Sequence, residues 1–431
     1  MLESIQNSPD GYFYYCSAVE MYSKFTEINL LPNGLIEDDI IIECFSYLDK
    51  EPYYSGPIFP FFLLIGIIFK LGFLFNIFHI IFLAPIYIYL CNRILTQLDI
   101  KQKIKILYAV IFSPLFIWLL IYPSTDIVSS ILILCAINYI PLVYKRFNKN
   151  LYKNGLNSFL IKTSFLFLLT LFITLLCRPL IWLISPLIVF YFAVLWTFDL
   201  KFRKKSSYSN KITIIKFIYS KYFFFLLSIL STFFVISFFL YSKYYAYPFP
   251  DNEFQIPGIL FDTLSPPAPV KLHEITHRSI SEFISSLLNS KLNFLDLFKK
   301  LLFLVLSILQ SLIFSLLSLS GFQTTSYLYD ELNIFRFIMT SYKAVFGLFI
   351  NLPGIFIVFI ESIKAFQILK KEPIEFISNK KNIFSLLAIC STFYCLTLLI
   401  TVGHIRYLLP ILPFLVIGSQ MFWRRLINID K

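Results

Sequence analysis

Residues 160 to 205 read LIKTSFLFLLTLFITLLCRPLIWLISPLIVFYFAVLWTFDLKFRKK. Two apolar runs, 160 to 177 and 180 to 198, are separated only by Arg178-Pro179 and followed by Lys201, Arg203, Lys204 and Lys205. Each run approaches the roughly 20 residues that an α-helix needs to cross bilayer hydrocarbon, where a helix satisfies its own backbone. The pair therefore reads as a transmembrane hairpin with its turn at one face and its basic end at the other.

Outward from this hairpin the pattern repeats. Of 431 residues, 58% are hydrophobic and 14% charged, and the mean hydropathy is +0.75, which is more apolar sequence than one soluble core accommodates. Crossings are predicted at 73 to 92, 104 to 122, 127 to 144, 160 to 177, 180 to 198, 218 to 241, 301 to 320, 344 to 360, 383 to 402 and 407 to 422. The run Ile58 to Phe69 is too short to cross; Pro57 and Pro60 start it, Lys70 and Gly72 stop it, and it reads as a juxtamembrane or re-entrant helix. The predicted fold class is all-α: a polytopic transmembrane helical bundle of about 10 to 12 spans with juxtamembrane helices in the external loops.

Charge supplies the orientation. Lys and Arg concentrate in 93 to 105, 145 to 153, 199 to 216, 361 to 382 and the tail, which come out cytoplasmic. Residues 1 to 56 hold ten acids and two lysines and come out external. The domains expected are an acidic external segment, 1 to 56, and a multi-pass region, 57 to 431, with a large external loop at 242 to 300. Between an outside loop before 301 and an inside loop after 360 the chain needs an odd number of crossings, whereas two apolar runs are counted; either 321 to 343 adds a third or one run re-enters. The net charge of +12 reflects basic loops on the cytoplasmic side rather than a nucleic-acid partner.

The seven cysteines, at 16, 44, 91, 135, 177, 390 and 395, lie mostly in apolar runs without paired metal spacing, so they read as small core residues with no disulfide or zinc framework. The polar first fifty residues carry no cleavable signal sequence.

The orientation gathers a distinct set of groups on the external side. Asp10 heads the aromatic stretch Asp10-Gly11-Tyr12-Phe13-Tyr14-Tyr15; Asp38 and Asp39 precede Gly56-Pro57-Ile58-Phe59-Pro60; Ser124-Thr125-Asp126, Arg178-Pro179 and His404-Ile405-Arg406-Tyr407 mark later turns. This layout, an acid before a Pro-aromatic-Pro lead-in, Ser-Thr-Asp, Arg-Pro and Arg406-Tyr407-Leu408-Leu409-Pro410-Ile411-Leu412-Pro413 in order over about residues 36 to 420, resembles the GT-C superfamily of membrane glycosyltransferases. It is similar to the polyprenyl-phosphate sugar transferases of the glycosyltransferase 39, protein mannosyltransferase and lipid A aminoarabinose transferase group. That family carries a span ahead of its first acidic loop, and residues 1 to 56 hold none; either an apolar span is encoded upstream of Met1 or the acidic segment crosses without a preceding span.

The resemblance implies transfer of a sugar from a polyprenyl-phosphate-linked donor to a glycan, glycolipid or protein acceptor at the external face of the plasma (inner) membrane. The chemistry such a step needs agrees with the residue types. A carboxylate within hydrogen-bond reach of the acceptor hydroxyl acts as base, the role expected of Asp38, Asp39 or Asp10. A guanidinium gripping two phosphate oxygens stabilises the leaving group, the role expected of Arg178 and Arg406, with His404 and Tyr407 beside Arg406. Asp126 is expected to orient the acceptor or hold a divalent cation, the one cofactor left open; no residue is assigned as a definite metal ligand.

Plain structural roles compete at each position. External acids are commonly just solvated, Asp126 suits a helix N-terminus, and arginines at span ends snorkel to the interface. His273-Glu274-Ile275-Thr276-His277 satisfies H-E-x-x-H, the pattern of a zinc protease helix. Arg278 follows where an uncharged residue is usual, so a membrane metalloprotease is the remote alternative. Nearer alternatives are a polysaccharide polymerase or ligase and a flippase for lipid-linked sugars.

Overall fold

The computed structural model describes residues 9–50, 57–69, 79–121, 125–148, 156–177, 181–203, 221–244, 298, 301–302, 305, 334–371, 382–401 and 405–429. Among them there is no strand, in line with the all-α expectation. The helices are α1 (Pro9–Glu27), α2 (Asp38–Lys50), α3 (Ile58–Ile68), α4 (Ala84–Gln97), α5 (Lys103–Ile111), α6 (Pro114–Ile121), α7 (Thr125–Asn148), α8 (Leu156–Cys177), α9 (Ile181–Arg203), α10 (Lys221–Tyr244), α11 (Ile334–Phe346), α12 (Leu352–Lys371), α13 (Ile383–Thr401) and α14 (Leu412–Ile429). Among the described residues, one helical run, Ser341–Leu369, is long and apolar enough to cross a membrane; shorter apolar stretches occupy Ile58–Ile68, Val128–Val143, Ile161–Cys177, Ile184–Trp196, Phe223–Ile236 and Ile383–Leu398.

The chain divides into two compact units, Met1–Tyr247 with Ser362–Leu387, and Pro248–Glu361 with Ala388–Lys431. In the first, α7 packs along α8 and against α4, while α9 packs on α10 and reaches α7. The apolar residues between them are fully buried: Ile94, Ile137, Ile140, Leu171 and Leu187. Tyr191 stacks on Phe167 at 4.0 Å between ring centroids, and its hydroxyl lies 3.0 Å from that of Ser164, so the polar tip is satisfied where the ring is buried. The Asn138 amide nitrogen donates to the carbonyls of Leu134 at 3.0 Å and Leu90 at 3.4 Å, a polar tie from α7 to α4 of the kind that fixes helix pairs in apolar surroundings.

The apolar run 104 to 122 is not one helix. It breaks at Phe112-Ser113-Pro114, where α5 ends and α6 begins. Pro114 has no N–H and suits the first position of a new helix, and the Ser113 hydroxyl accepts from the Phe116 N–H at 3.1 Å as its N-cap. Composition alone hid a start signal written as Ser-Pro. Replacing Ser113 with alanine is expected to remove about 1 kcal/mol, read as a lower thermal midpoint of the detergent-solubilised protein.

Two prolines distort their helices in the same way. A π-helical turn, His79–Leu83, precedes Pro85, and another, Gly347–Asn351, precedes Pro353. A proline ring crowds the carbonyl four residues back and offers it no donor, and one wide turn relieves both problems. In the second case the Leu352 N–H reaches back to the Gly347 carbonyl, and the Phe349 carbonyl accepts instead from Ser419 Oγ at 2.7 Å and Trp423 Nε1 at 2.9 Å, both on α14. Nearby, Arg425 pairs with Glu361 at 2.8 Å. The run predicted at 344 to 360 thus belongs to continuous helix from Ile334 to Lys371, so residues 334–343 lead into that run and are not a separate crossing. The predicted crossing 301 to 320 lies almost wholly outside the described residues, as do 321 to 333.

Residues 9 to 50 of the acidic N-terminal segment form a helical hairpin, α1 and α2. On α1 the buried positions Tyr14, Ala18 and Tyr22 recur every four residues, joined by Tyr15 and Val19. The helix closes on Asn29, whose φ of 56° lies in the left-handed region; the Leu30 N–H bonds the Phe25 carbonyl at 2.8 Å and the Asn29 N–H that of Thr26 at 3.0 Å, a complete Schellman end. The Tyr22 hydroxyl then donates to the Pro32 carbonyl at 2.8 Å and accepts from the Leu35 N–H at 2.9 Å, holding the turn against α1.

Cys16 and Cys44 form a disulfide across the hairpin, 28 residues apart with Cα atoms 4.8 Å apart. This corrects the expectation of no disulfide. The pair is made by helix packing rather than by a short sequence motif, so spacing does not announce it. The remaining five cysteines are free, four of them buried and Cys135 partly so, as expected of small core residues.

Candidate functional site

The hairpin is seated on α3. Tyr14 meets Phe59 edge to face at 5.0 Å, and Phe59, Leu63 and Leu64 of α3 complete one apolar cluster with Cys16, Val19 and Cys44. Val128 of α7 packs against the same cluster. Val128 is two residues past Asp126, so the start of α7 and the acidic hairpin occupy the same end of this unit.

On α2, Asp38 and Asp39 stand in the first turn, where their charge is favoured by the free N–H groups of the helix start. Both are exposed. Asp39, Glu43, Ser46 and Tyr47 recur at helical spacing on one face, and with Ile42 and Tyr12 of α1 they line an open cleft of about 490 Å³. Asp38 is not in that lining. The Tyr12 hydroxyl donates to Glu43 Oε1 at 2.6 Å, its ring meets Tyr47 edge to face at 4.7 Å, and Tyr15 stacks behind it at 6.5 Å. Desolvation first, and then the bond to the Glu43 carboxylate, push the Tyr12 phenol up to about 12. Tyr12 therefore remains a neutral donor throughout the physiological range. Tyr15 is also raised, by burial first and then by the Glu43 charge.

The other expected site residues are distributed as follows. Asp10 and Asp126 are each the second residue of their helix, α1 and α7; for Asp126 this is the helix-start position of its plain structural reading. Arg406 and Tyr407 lie in a 3-10 segment, Ile405–Ile411, that leads into α14; they belong to the second compact unit, and Asp10, Asp38, Asp39 and Asp126 to the first. The placement described for Asp10, Asp126, Arg406 and Tyr407 is that of the backbone. Arg178, His404 and the His273-Glu274-x-x-His277 motif lie outside the described residues. Among the described residues, no group of three or more His, Cys, Asp or Glu is arranged to hold a metal ion.

Glu43, Ser46 and Tyr47 were not singled out by the sequence reading. The signal was present: counted from Asp39 they recur at i+4, i+7 and i+8, which gathers an acid pair and an aromatic on one helical face. Compared with known proteins, the chain matches no family model, no curated protein and no solved structure.

Proposed function

We propose that the chain is a multi-pass membrane glycosyltransferase that moves a sugar from a polyprenyl-phosphate-linked donor to an acceptor at the external face of the plasma membrane. The observation that carries the reading is the exposed Asp39 carboxylate at the head of a disulfide-closed hairpin whose apolar cluster includes Val128, next to Asp126. Disulfides persist in oxidising compartments, so a closed Cys16–Cys44 bridge agrees with the external side that charge assigns to residues 1 to 56.

Membrane embedding is supported by dimensions and surface. Helices α7 to α10 have 24, 22, 23 and 24 residues, about 33 to 36 Å at 1.5 Å per residue, enough for the hydrocarbon layer. On α10, Phe224 and Phe225 are 63% and 62% exposed, a surface suited to lipid rather than water. The lipid tail of the donor stays in the bilayer while its phosphate reaches the surface. There Asp39 acts as the base on the acceptor hydroxyl, and Arg406 with Arg178 holds the departing phosphate, with His404 and Tyr407 as neighbours.

The test is transfer from a polyprenyl-phosphate-linked sugar in membranes containing the full chain. Asp39→Asn is expected to lower the rate at least roughly 100-fold, whereas Asp38→Asn, outside the cleft, has a smaller effect. Full activity in both variants removes these acids from the mechanism, and no product from any polyprenyl-phosphate sugar ends the transferase reading.

The runner-up is a flippase for lipid-linked sugars. It is favoured by the break between α5 and α6, since interrupted helices are recurrent at transport sites. Translocation of a lipid-linked sugar without formation of a new glycosidic bond is the result that selects it.

A further inference from the structure

We propose that the exposed side of α5 binds an anionic phospholipid of the cytoplasmic leaflet, with the lipid phosphate at Lys101 and Lys105 and an acyl chain along Ile104, Tyr108 and Phe112. The inference rests on the membrane embedding proposed above and is independent of the transferase reading. Local structure sets α5 apart as a short helix of its own. The chain turns out of α4 through Asp99, whose φ of 54° lies in the left-handed region; the Ile100 N–H bonds the Leu95 carbonyl at 3.2 Å and the Asp99 N–H that of Thr96 at 3.2 Å. Lys103 Nζ donates to Thr96 Oγ1 at 3.3 Å, which ties the first turn of α5 back to α4.

Ile106 and Val110 are the buried side of α5, whereas Ile104, Tyr108 and its C-cap Phe112 are 68%, 57% and 60% exposed. Their four-residue spacing places these three in one row, and the Tyr108 and Phe112 rings stack at 6.4 Å between centroids. Lys101 and Lys105, both exposed, stand at one end of the row. Residues 93 to 105 carry four basic residues against a single acid, Asp99. The first turn of α5 holds no acid, so the free N–H groups of the helix start add to the attraction for an anion. Water suits the lysines and not the row; hydrocarbon suits the row and not the lysines. A phospholipid meets both demands, and an anionic head group matches the sign. From Lys105 to Phe112 the helix rises about 10 Å, within the roughly 15 Å of hydrocarbon in one leaflet. A second copy docking by the same face would instead set these lysines against one another.

The experiment titrates the full chain, in non-ionic detergent, with dioleoylphosphatidylglycerol, dioleoylphosphatidylcholine and glycerol 3-phosphate, and reads bound lipid by native mass spectrometry. Phosphatidylglycerol is expected to bind at least about tenfold tighter than phosphatidylcholine, and more weakly at high salt. Lys101→Gln with Lys105→Gln is expected to lower phosphatidylglycerol binding about tenfold or more, with an unchanged thermal midpoint. Lys149→Gln with Lys153→Gln removes the same charge from the predicted cytoplasmic loop 145 to 153 and is expected to change it less than about twofold. Tyr108→Ser with Phe112→Ser is expected to weaken both lipids about fivefold or more. Equal affinity for the two lipids, an equal loss in both lysine pairs, or displacement of the lipid by glycerol 3-phosphate at matched concentration overturns the proposal. So does a dimer that the Tyr108 and Phe112 changes dissolve without altering lipid binding. Release of the chain from membranes by alkaline carbonate removes the embedding itself, whereas an embedded chain without lipid preference removes only this site. Lipid binding by a protein that makes no glycosidic bond removes only the transferase reading.

Discussion

Replacing Cys16 and Cys44 together with serine is expected to destabilise the N-terminal hairpin by about 3.5 kcal/mol, the chain-entropy value for a loop of this length, which is roughly a 300-fold rise in its open population. The two thiols lie in the middle of the α1–α2 packing, with Tyr14, Val19 and Tyr22 around them, so the loss is local to residues 9 to 50 and the α7–α8 core is spared. Hydrogen–deuterium exchange should show faster exchange in α1 and α2, with α7 to α10 unchanged. Ready alkylation of both cysteines in the untreated protein would show that the bridge is absent, and would withdraw its support for the proposed orientation as well.

The second large effect is expected in the other compact unit. A Cβ on Gly354 would lie 2.3 Å from the Leu415 carbonyl oxygen and 2.8 Å from that residue's Cα, and a Cβ on Gly418 would lie 2.9 Å from the Gly354 carbonyl oxygen. The obstructing atoms are backbone, so no side chain can swing aside; α12 and α14 would have to move apart. Gly354→Ala is therefore expected to cost 3 kcal/mol or more, at the upper end of overpacking, with Gly418→Ala milder. The measurement is the thermal midpoint and monodisperse fraction in detergent. An unchanged midpoint for Gly354→Ala would mean that the two helices do not meet backbone to backbone.

Hydropathy located α7, α8, α9, α10 and α13 to within a few residues, because their apolar runs end at Pro, Arg or Lys and helix length follows run length. It failed where the decisive chemistry is a single residue. Ser113-Pro114 divides an apolar run that composition reads as continuous, and Pro353 widens a turn without ending the helix. Nor did it reveal the fold of residues 9 to 50. There, packing is carried by Tyr14, Tyr22 and two cysteines rather than by aliphatic runs, so an amphipathic hairpin with eight acids reads as a polar tail. Asp39 was singled out by its sign and by the external side that charge predicts for residues 1 to 56. Its neighbours Glu43 and Tyr47 follow from helical spacing on α2, whereas Tyr12 became apparent only once a disulfide joined two helices that are separate in the sequence.

The bond-accepting carbonyl of Phe349 has a mechanical consequence. Ser419 and Trp423 grip it from consecutive turns of α14, which sets both the axial height and the azimuth of that helix against α12. Ser419 lies seven residues beyond Leu412, about 10 Å along the axis, so the 3-10 segment carrying Arg406 and Tyr407 issues from a strut that can neither slide nor roll. Any backbone movement at Arg406 is then confined to the tighter coil ahead of Leu412, with Pro410 as its stiff end.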